Sequence, residues 1–194
     1  MIAIVKYNAG NVQSVQYALN RLGMPSIITD DAAIISNADK VIFPGVGNAA
    51  SAMQYLKERG MEKLIVGLKQ PVLGICLGLQ LLCSHSEEGD IDCMGVFDAA
   101  VKLFPQHHLK VPHVGWNTIA AGNNILFEGL QQDAFVYYVH SYYATISAQT
   151  SATTDHILLF SAVLQRDNFY AVQFHPERSG SVGETILKNF INIK

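Results

Sequence analysis

Short apolar runs alternate with stretches that mix apolar and polar residues through the first half of the chain. The mixed stretches predict helices at Val12–Leu22, Asn48–Arg59 and Met61–Lys69, with asparagine or glycine at their starts and glycine at their ends. The apolar runs predict strands at Ile2–Tyr7, Ser26–Thr29, Lys40–Phe43 and Val72–Ile75. Apolar strands that alternate with helices indicate a mostly parallel sheet covered by helices on both faces, which is an α/β fold.

The pattern changes in the second half, where strands follow one another with turns between them. Turns are predicted at Ala121–Asn124 and Arg166–Asn168, and a last helix at about Gly183–Ile193. The predicted strands are Val101–Phe104, Val111–His113, Phe135–Ala144, Ile157–Val163 and Tyr170–Phe174. We expect them to be antiparallel additions to the same sheet. No linker, repeat or low-complexity segment interrupts the chain, so residues 1–194 are expected to form one domain.

Composition narrows the class of protein. Hydrophobic residues make up 49% of the 194 residues and charged residues 15%, as in a globular chain. A net charge of −3 without a basic run disfavours nucleic acid as a partner, and no apolar stretch has the length of a membrane span. The first residues predict a strand rather than a signal peptide. Three cysteines form neither a disulfide framework nor a metal motif, so we expect a cytoplasmic protein.

Cys76 stands where a predicted apolar strand meets a helix, in the sequence Gly74-Ile75-Cys76-Leu77-Gly78. This is the cysteine form of a nucleophile elbow. Glycines two residues before and after relieve the crowding of a sharp turn, and the N-terminus of the following helix favours the reactive thiolate. The pattern predicts a catalytic thiol with the Leu77 N–H as an oxyanion donor. A buried core cysteine in a glycine-rich loop is the alternative.

A candidate base for this thiol lies near the end of the chain. The sequence Gln173-Phe174-His175-Pro176-Glu177 places His175 at the tip of a predicted strand, with Glu177 two residues further on. Cysteine, histidine and carboxylate then act as nucleophile, base and orienting group. The alternative is a strand-end histidine that simply pairs with a neighbouring carboxylate.

Together these two motifs resemble the class I (triad) glutamine amidotransferases. Further blocks are similar to the glutaminase subunits of imidazole glycerol phosphate synthase: FPGVG at 43–47, SEEG at 86–89, VPHVGWN at 111–117, VHSYY at 139–143 and ERSG at 177–180. The similarity runs nearly end to end and in order. It implies hydrolysis of L-glutamine to glutamate and ammonia by Cys76, His175 and Glu177, without a cofactor.

The resemblance also implies roles for residues around the triad. A backbone N–H near Val46 is the second oxyanion donor, and Gly45 and Gly47 leave that peptide room to turn. The glutamine pocket is lined by Gly47, Gln80, Ser141 and Tyr142, the last two partly through their backbone. In contrast, Ser86-Glu87-Glu88 is interpreted as a solvated acidic loop and Cys83 as a buried core residue.

A glutaminase without an acceptor site needs a second chain to receive its ammonia. The sequence contains neither a P-loop nor a dinucleotide-binding glycine motif. The resemblance implies a partner, a cyclase subunit with a (β/α)8 barrel, in a heterodimer that makes imidazole glycerol phosphate and aminoimidazole carboxamide ribonucleotide for histidine biosynthesis. Candidates for the interface are Trp116, Asn117, Tyr138 and the Asn8–Asn11 loop, with Asn11 at its end.

Alternatives to this interpretation stay open, and the chain departs from the family pattern in two loops, the first loop and Val96-Phe97-Asp98-Ala99. The chain resembles glutaminases that feed other synthases and, on the same scaffold, cysteine hydrolases of γ-glutamyl peptides; an inactive binding subunit is disfavoured because the whole triad is present. Lys6 and Asn8 replace the acidic residue and glycine usual in the family's first loop. His107, His108 and His113 suggest a metal, but no second group of ligands stands at a suitable spacing, so no metal site is predicted.

Overall fold

The computed structural model describes residues 1–106, 109–122 and 124–194. Its helices are α1 (Val12–Arg21), α2 (Ala32–Asn37), α3 (Ala49–Glu58), α4 (Met61–Val66), α5 (Leu77–Leu82) and α6 (Gly180–Asn192), with short 3-10 turns at Ile125–Phe127 and Pro176–Arg178. None of the helices in these ranges has the length and apolarity needed to cross a membrane.

The strands of the first half are β1 (Ile2–Val5), β2 (Ser26–Thr29), β3 (Lys40–Gly45), β4 (Val72–Cys76), β5 (His85–Ser86) and β6 (Ile91–Asp92). Those of the second half are β7 (Ala100–Leu103), β8 (His113–Thr118), β9 (Ala120–Ala121), β10 (Phe135–His140), β11 (Tyr142–Ala144), β12 (Thr150–His156), β13 (Leu158–Arg166) and β14 (Phe169–Val172).

The central sheet has eight strands in the order β2-β1-β3-β4-β14-β13-β12-β9. The first five run parallel, and β13, β12 and β9 continue the sheet antiparallel. The α/β prediction, with a mostly parallel sheet and antiparallel additions, is confirmed. Since β3, β4 and β14 are parallel neighbours, their carboxyl ends meet at one edge, where sites form in sheets of this kind.

Two apolar clusters cover the two faces of the sheet. Side chains of a strand alternate between faces, so Ala3 and Val5 of β1 pack into one cluster while Ile2 and Ile4 pack into the other. Helices α2, α3 and α4 bury their apolar sides in the first cluster, and α1 and α6 in the second. The predicted helices on both faces are therefore observed.

The second half departs from the predicted single sheet. The expected strand Phe135–Ala144 is broken at Ser141, whose carbonyl accepts a hydrogen bond from the Phe104 N–H at 3.0 Å. Here the chain leaves β10, which pairs only with β8, and enters β11 of a four-stranded sheet ordered β11-β7-β5-β6. The prediction that Val101–Phe104, Val111–His113 and Phe135–Ala144 extend the central sheet is therefore wrong.

The last strand of the second half joins the parallel part of the central sheet, although it was expected to be an antiparallel addition. The predicted strand Tyr170–Phe174, observed as β14, is antiparallel to β13 but parallel to β4, with Val172 opposite Ile75. The predicted turn at Arg166–Asn168 is confirmed as the connection between β13 and β14. Because β14 ends beside β4, the residues that follow it are delivered next to Cys76.

Several boundaries and elements also differ from the pattern. Helix α2 was not predicted, and it begins where the Asp31 side chain accepts hydrogen bonds from two backbone N–H groups. Strand β12 was not predicted because its sequence is polar, although alternate residues such as Ala152 and Thr154 are buried. Helix α6 begins at Gly180, before the predicted start. In the predicted turn 121–124, Asn123 lies outside the described residues.

Candidate active site

Cys76 is the last residue of β4, and α5 begins directly after it. Its φ of 53° lies in a region that non-glycine residues rarely adopt. The flanking glycines leave no room for a side chain. A Cβ on Gly78 would lie 1.9 Å from the Phe43 carbonyl oxygen, and one on Gly74 would lie 3.1 Å from the Gly78 backbone. The structure thus has the strained strand-to-helix turn expected of an elbow.

The Cys76 sulfur is buried among polar backbone and amide groups. The Gln173 side-chain amide donates to Sγ at 3.7 Å, and Sγ lies 4.0 Å from the Val139 carbonyl oxygen. Leu77 is the first residue of α5, so its N–H has no partner within the helix. Leu77 also lines the same cavity as Cys76, where an oxyanion donor is expected.

His175 and Glu177 form a buried pair beside Cys76. His175 follows β14, and its Nδ1 donates to Glu177 Oε1 at 2.7 Å. The two side chains are 1% and 0% exposed. Burial lowers the pKa of His175, but the Cys76 sulfur and the Glu177 carboxylate outweigh burial and raise it to about 10. Apart from this interaction with Cys76, His175 Nε2 has no hydrogen bond within the described residues, and the raised pKa favours transfer of the thiol proton to His175.

Asn11 lies against this pair and not only on an outer face. Its side-chain amide donates to Glu177 Oε1 and lies 3.4 Å from His175 Nδ1. Asn11 has a φ of 78°, which turns the chain into α1 and aims the amide inward. Asn11 stays a candidate for the partner face, and the contact of its amide with Glu177 gives it a second place in the site.

A cavity of about 300 Å³ opens in front of Cys76. Its walls contain the predicted oxyanion residues Val46 and Leu77 together with all four predicted substrate residues. The lining residues are Val46, Gly47, Cys76, Leu77, Gln80, Glu88, Pro112, Val139, His140, Ser141 and Tyr142. Gly45 stands behind this wall as the strand partner of Cys76.

Gln80 has both amide hydrogens engaged by the protein. Its Nε2 donates to the Tyr142 carbonyl at 3.0 Å and to Gln173 Oε1 at 3.1 Å. Only the Gln80 carbonyl oxygen is left, so towards a ligand in the cavity this side chain acts as an acceptor.

Glu88 is a cavity residue that the sequence interpretation missed. Its carboxylate accepts the Ala49 N–H at 2.6 Å at the start of α3, and it lines the pocket with Gln80. The neighbouring Ser86 is fully buried, so the interpretation of 86–88 as a solvated loop is wrong for Ser86, whereas Glu87 is exposed and Glu88 is half-buried. The SEEG block was the available signal, since it already took part in the resemblance.

The residues proposed for a partner face divide into two groups. Trp116 is 55% exposed and points outward from β8, as expected. Tyr138 is fully buried, stacks on His113 and bonds to Thr154, so its expected place on the interface is wrong. The Asn117 amide is turned inward and bonds to the Asp155 carbonyl at 2.9 Å.

Among the described residues, the remaining cysteines and histidines supply no rival site. Cys83 is fully buried in the core as predicted, and burial raises its pKa strongly. Burial likewise raises the pKa of Cys93 to about 12. Among the described residues no cluster of histidine, cysteine or carboxylate side chains is arranged to hold a metal ion. His107 and His108 lie outside those residues.

With this geometry established, residues 4–193 match the glutamine amidotransferase class-I family. The chain belongs to that family. The amidotransferase is 57% identical over 194 residues to the imidazole glycerol phosphate synthase subunit HisH of Bacteroides fragilis (strain YCH46), covering 99% of both chains. It is 46% identical over 195 residues to the HisH subunit of Pasteurella multocida (strain Pm70), covering 100% of this chain and 98% of that one.

Solved structures agree with the fold. A putative GMP synthase subunit from Thermoplasma acidophilum aligns with a TM-score of 0.75 at 22% identity, covering 98% of this amidotransferase and 92% of that chain. Another glutamine amidotransferase aligns with a TM-score of 0.73 at 16% identity, covering 98% and 96%. At these identities the likeness concerns the fold alone.

Proposed function

We propose that this amidotransferase is the glutaminase subunit of an imidazole glycerol phosphate synthase, formed by residues 1–194 as one domain. The observation that carries the proposal is the meeting of Cys76 with His175 and Glu177 at the ends of two adjacent parallel strands, beside a cavity. The full-length similarity to HisH subunits supports the choice of synthase.

The residues fit amide hydrolysis through a thioester. The Cys76 sulfur attacks the side-chain carboxamide carbon of glutamine, and its proton passes to His175 Nε2. His175 then gives this proton to the leaving nitrogen, which departs as ammonia. Glu177 stabilises the imidazolium through the bond to Nδ1. Water, deprotonated by His175, attacks the thioester and releases glutamate with the thiol restored.

The walls of the cavity fit the remaining groups of glutamine. The Gln80 carbonyl oxygen accepts from a donor on the substrate, while Gly47, Ser141 and Tyr142 line the rest of the same cavity. Glu88 supplies a carboxylate for the positively charged α-amino group. Val46 and Leu77 lie where the oxyanion develops, with Gly45 behind them. No metal or cofactor takes part in these steps.

A partner chain receives the ammonia. Its docking surface is centred on the exposed apolar residues of the two-stranded sheet, Val114, Trp116 and Phe135. The partner that we propose is a cyclase with a (β/α)8 barrel, joined as a cytoplasmic heterodimer. Ammonia must travel enclosed between the two, because in water at neutral pH it becomes ammonium, which is not nucleophilic.

A reconstituted pair tests this function. The cyclase from the same organism should co-purify with this chain and make imidazole glycerol phosphate from glutamine. Cys76→Ser should abolish synthesis from glutamine while synthesis from added ammonium salts continues. Glutamine-dependent synthesis that survives Cys76→Ser, or the absence of any complex, contradicts the proposal.

A further inference from the structure

Two buried histidines lie behind the glutamine pocket, outside the triad. His113 of β8 and His140 of β10 face each other in register, and they are 5% and 6% exposed. His113 Nδ1 and His140 Nε2 lie 3.0 Å apart, in hydrogen-bond contact. His140 also lines the cavity in front of Cys76. Nothing in the mechanism above uses either ring.

The direction of each hydrogen bond follows from the groups at the two ends. His140 Nδ1 lies 2.8 Å from the Tyr142 carbonyl oxygen, which can only accept, so Nδ1 carries the hydrogen and Nε2 is an acceptor. His113 Nδ1 must then donate to His140 Nε2. The Asn117 amide in turn lies 3.4 Å from His113 Nε2, and it must be the donor because the Asn117 oxygen already accepts the Thr118 N–H.

The Tyr142 carbonyl links the hydrogen bonds of the two histidines to the Cys76 sulfur. Tyr142 O accepts both from His140 and from Gln80 Nε2, at 2.8 and 3.0 Å. Gln80 also donates to Gln173, and the Gln173 amide donates to Cys76 Sγ at 3.7 Å. Hydrogen bonds therefore run without a gap from the two histidines to the reacting sulfur.

The surroundings keep both rings neutral. His113 is stacked between His156, at 3.9 Å between ring centroids, and Tyr138, at 4.7 Å. His140 lies among Tyr138, Phe104 and Phe160. The pKa of His140 is lowered to about 3 and that of His113 to about 4, mainly by burial. At His140 the hydrogen bond to Tyr142 opposes this shift, whereas His113, His156 and His175 add to it, and at His113 His156 adds to it. A proton on either ring would occupy the nitrogen that must accept.

We propose that His113 and His140 are positioning residues of the glutamine site. They hold the Tyr142 carbonyl in place and, through Gln80 and Gln173, fix the direction from which the Cys76 sulfur meets the substrate. This inference rests on the proposed glutaminase function. A purely structural pair would instead contribute to folding without affecting the use of glutamine.

Isosteric variants of His140 separate these roles. In His140→Asn the side-chain amide can donate from the position of Nδ1. In His140→Gln the amide lies at the position of Nε2 and no donor is left at Nδ1, and His140→Leu has no polar group at either position. We expect the KM for glutamine to rise about tenfold in the Gln and Leu variants, and to stay within about threefold of the parent in the Asn variant. The matched control is His85→Asn, because His85 is a half-exposed histidine beside Asp90 and Asp92, away from this series of hydrogen bonds.

Equal KM values in the Asn, Gln and Leu variants, measured on folded protein, would overturn the inference while leaving the glutaminase in place. An inactive parent chain, alone and with its cyclase, would overturn the proposed function itself and this inference with it. The two failures are thus distinguishable.

Nitrogen-15 NMR of the histidine rings in the unaltered chain gives a second test that needs no variant to fold. We expect His113 and His140 to show the Nδ1–H tautomer and to stay neutral down to about pH 5, where ordinary histidines are protonated. The opposite tautomer on His140, or its protonation near pH 6.5, would overturn the inference whatever the kinetics show.

Discussion

The backbone N–H of Gly10 donates a hydrogen bond to the carbonyl oxygen of Val46 at 3.3 Å. This bond ties the first loop, a candidate partner contact, to the peptide that precedes Gly47, which has a φ of 127°. The Asn8–Asn11 loop and the oxyanion loop therefore touch, so a partner that moves one changes the forces on the other.

Partner binding should accelerate glutamine hydrolysis through this contact. One oxyanion donor contributes about 3 kcal/mol, a rate factor of order 10². We expect the isolated chain to be slower by about that factor than the complex with its cyclase and nucleotide ligand. Steady-state glutaminase kinetics measure this acceleration on the chain alone, with the cyclase, and with the cyclase and its nucleotide ligand. Full activity in the isolated chain would contradict the prediction.

A Gly10→Ala substitution should weaken this stimulation. Its Cβ would lie 3.2 Å from Val46 Cγ2 and would press on the oxyanion loop. Asn8→Ala is the control in the same loop, because the Asn8 amide contacts the Ser51 carbonyl and not Val46. Equal stimulation of Gly10→Ala and the parent chain would show that the contact does not transmit the effect.

His175 and Glu177 should differ in their importance. Removal of the base disables both proton transfers, so His175→Ala is expected to lower kcat by at least about 10³. Glu177→Gln leaves the base present but poorly oriented and should retain measurable turnover. Near-normal turnover of His175→Ala in glutamate-release assays would show that the triad assignment is wrong.

Asn11 should contribute through the carboxylate that it contacts. Asn11→Gly keeps the left-handed backbone and removes the donor to Glu177 Oε1. Loss of a hydrogen bond to a charged group costs about 1.5–3 kcal/mol, so we expect kcat to fall by about ten- to a hundredfold with little change in KM. An unchanged kcat would limit Asn11 to a structural role.

A glutamine-analogue electrophile should label Cys76 alone. Burial raises the pKa of Cys83 and Cys93, and neither lies at an elbow, so both thiols are poor nucleophiles at neutral pH. Mass spectrometry of the labelled peptides measures the outcome. Labelling of Cys76→Ser to the same extent as the parent would contradict the assignment of the nucleophile.

The buried histidines should make the fold sensitive to mild acid. The pKa values of His113 and His140, about 4 and about 3, lie below the ordinary 6.5. The unfolded chain therefore binds more protons below about pH 6.5, and the free energy of unfolding falls as the pH drops towards 4. Urea unfolding at pH 7 and pH 5.5 measures this fall. Between the two pH values the free energy of unfolding should fall less in His140→Asn than in the parent or in His85→Asn.

Much of the first half could be predicted from local pattern, and so could the pairing of two of the residues proposed as a triad. Apolar runs identify β1 to β4 because both faces of a parallel sheet are buried. The glycines around Cys76 identify the elbow because a side chain at Gly78 would meet Phe43 and one at Gly74 would meet α5. His175 and Glu177 are two residues apart, so their hydrogen bond is a short-range geometry that the sequence by itself determines.

Only the tertiary structure decided which distant residues meet. The break at Ser141 depends on a bond from Phe104, and the parallel pairing of β14 with β4 depends on the whole sheet order. Asn11 reaches Glu177, Glu88 reaches the cavity and His113 reaches His140 across long sequence separations. Such contacts form only when many strands pack together, and no periodicity along the chain encodes them. Polar residues that the sequence pattern does not assign to the pocket therefore lie in or beside it.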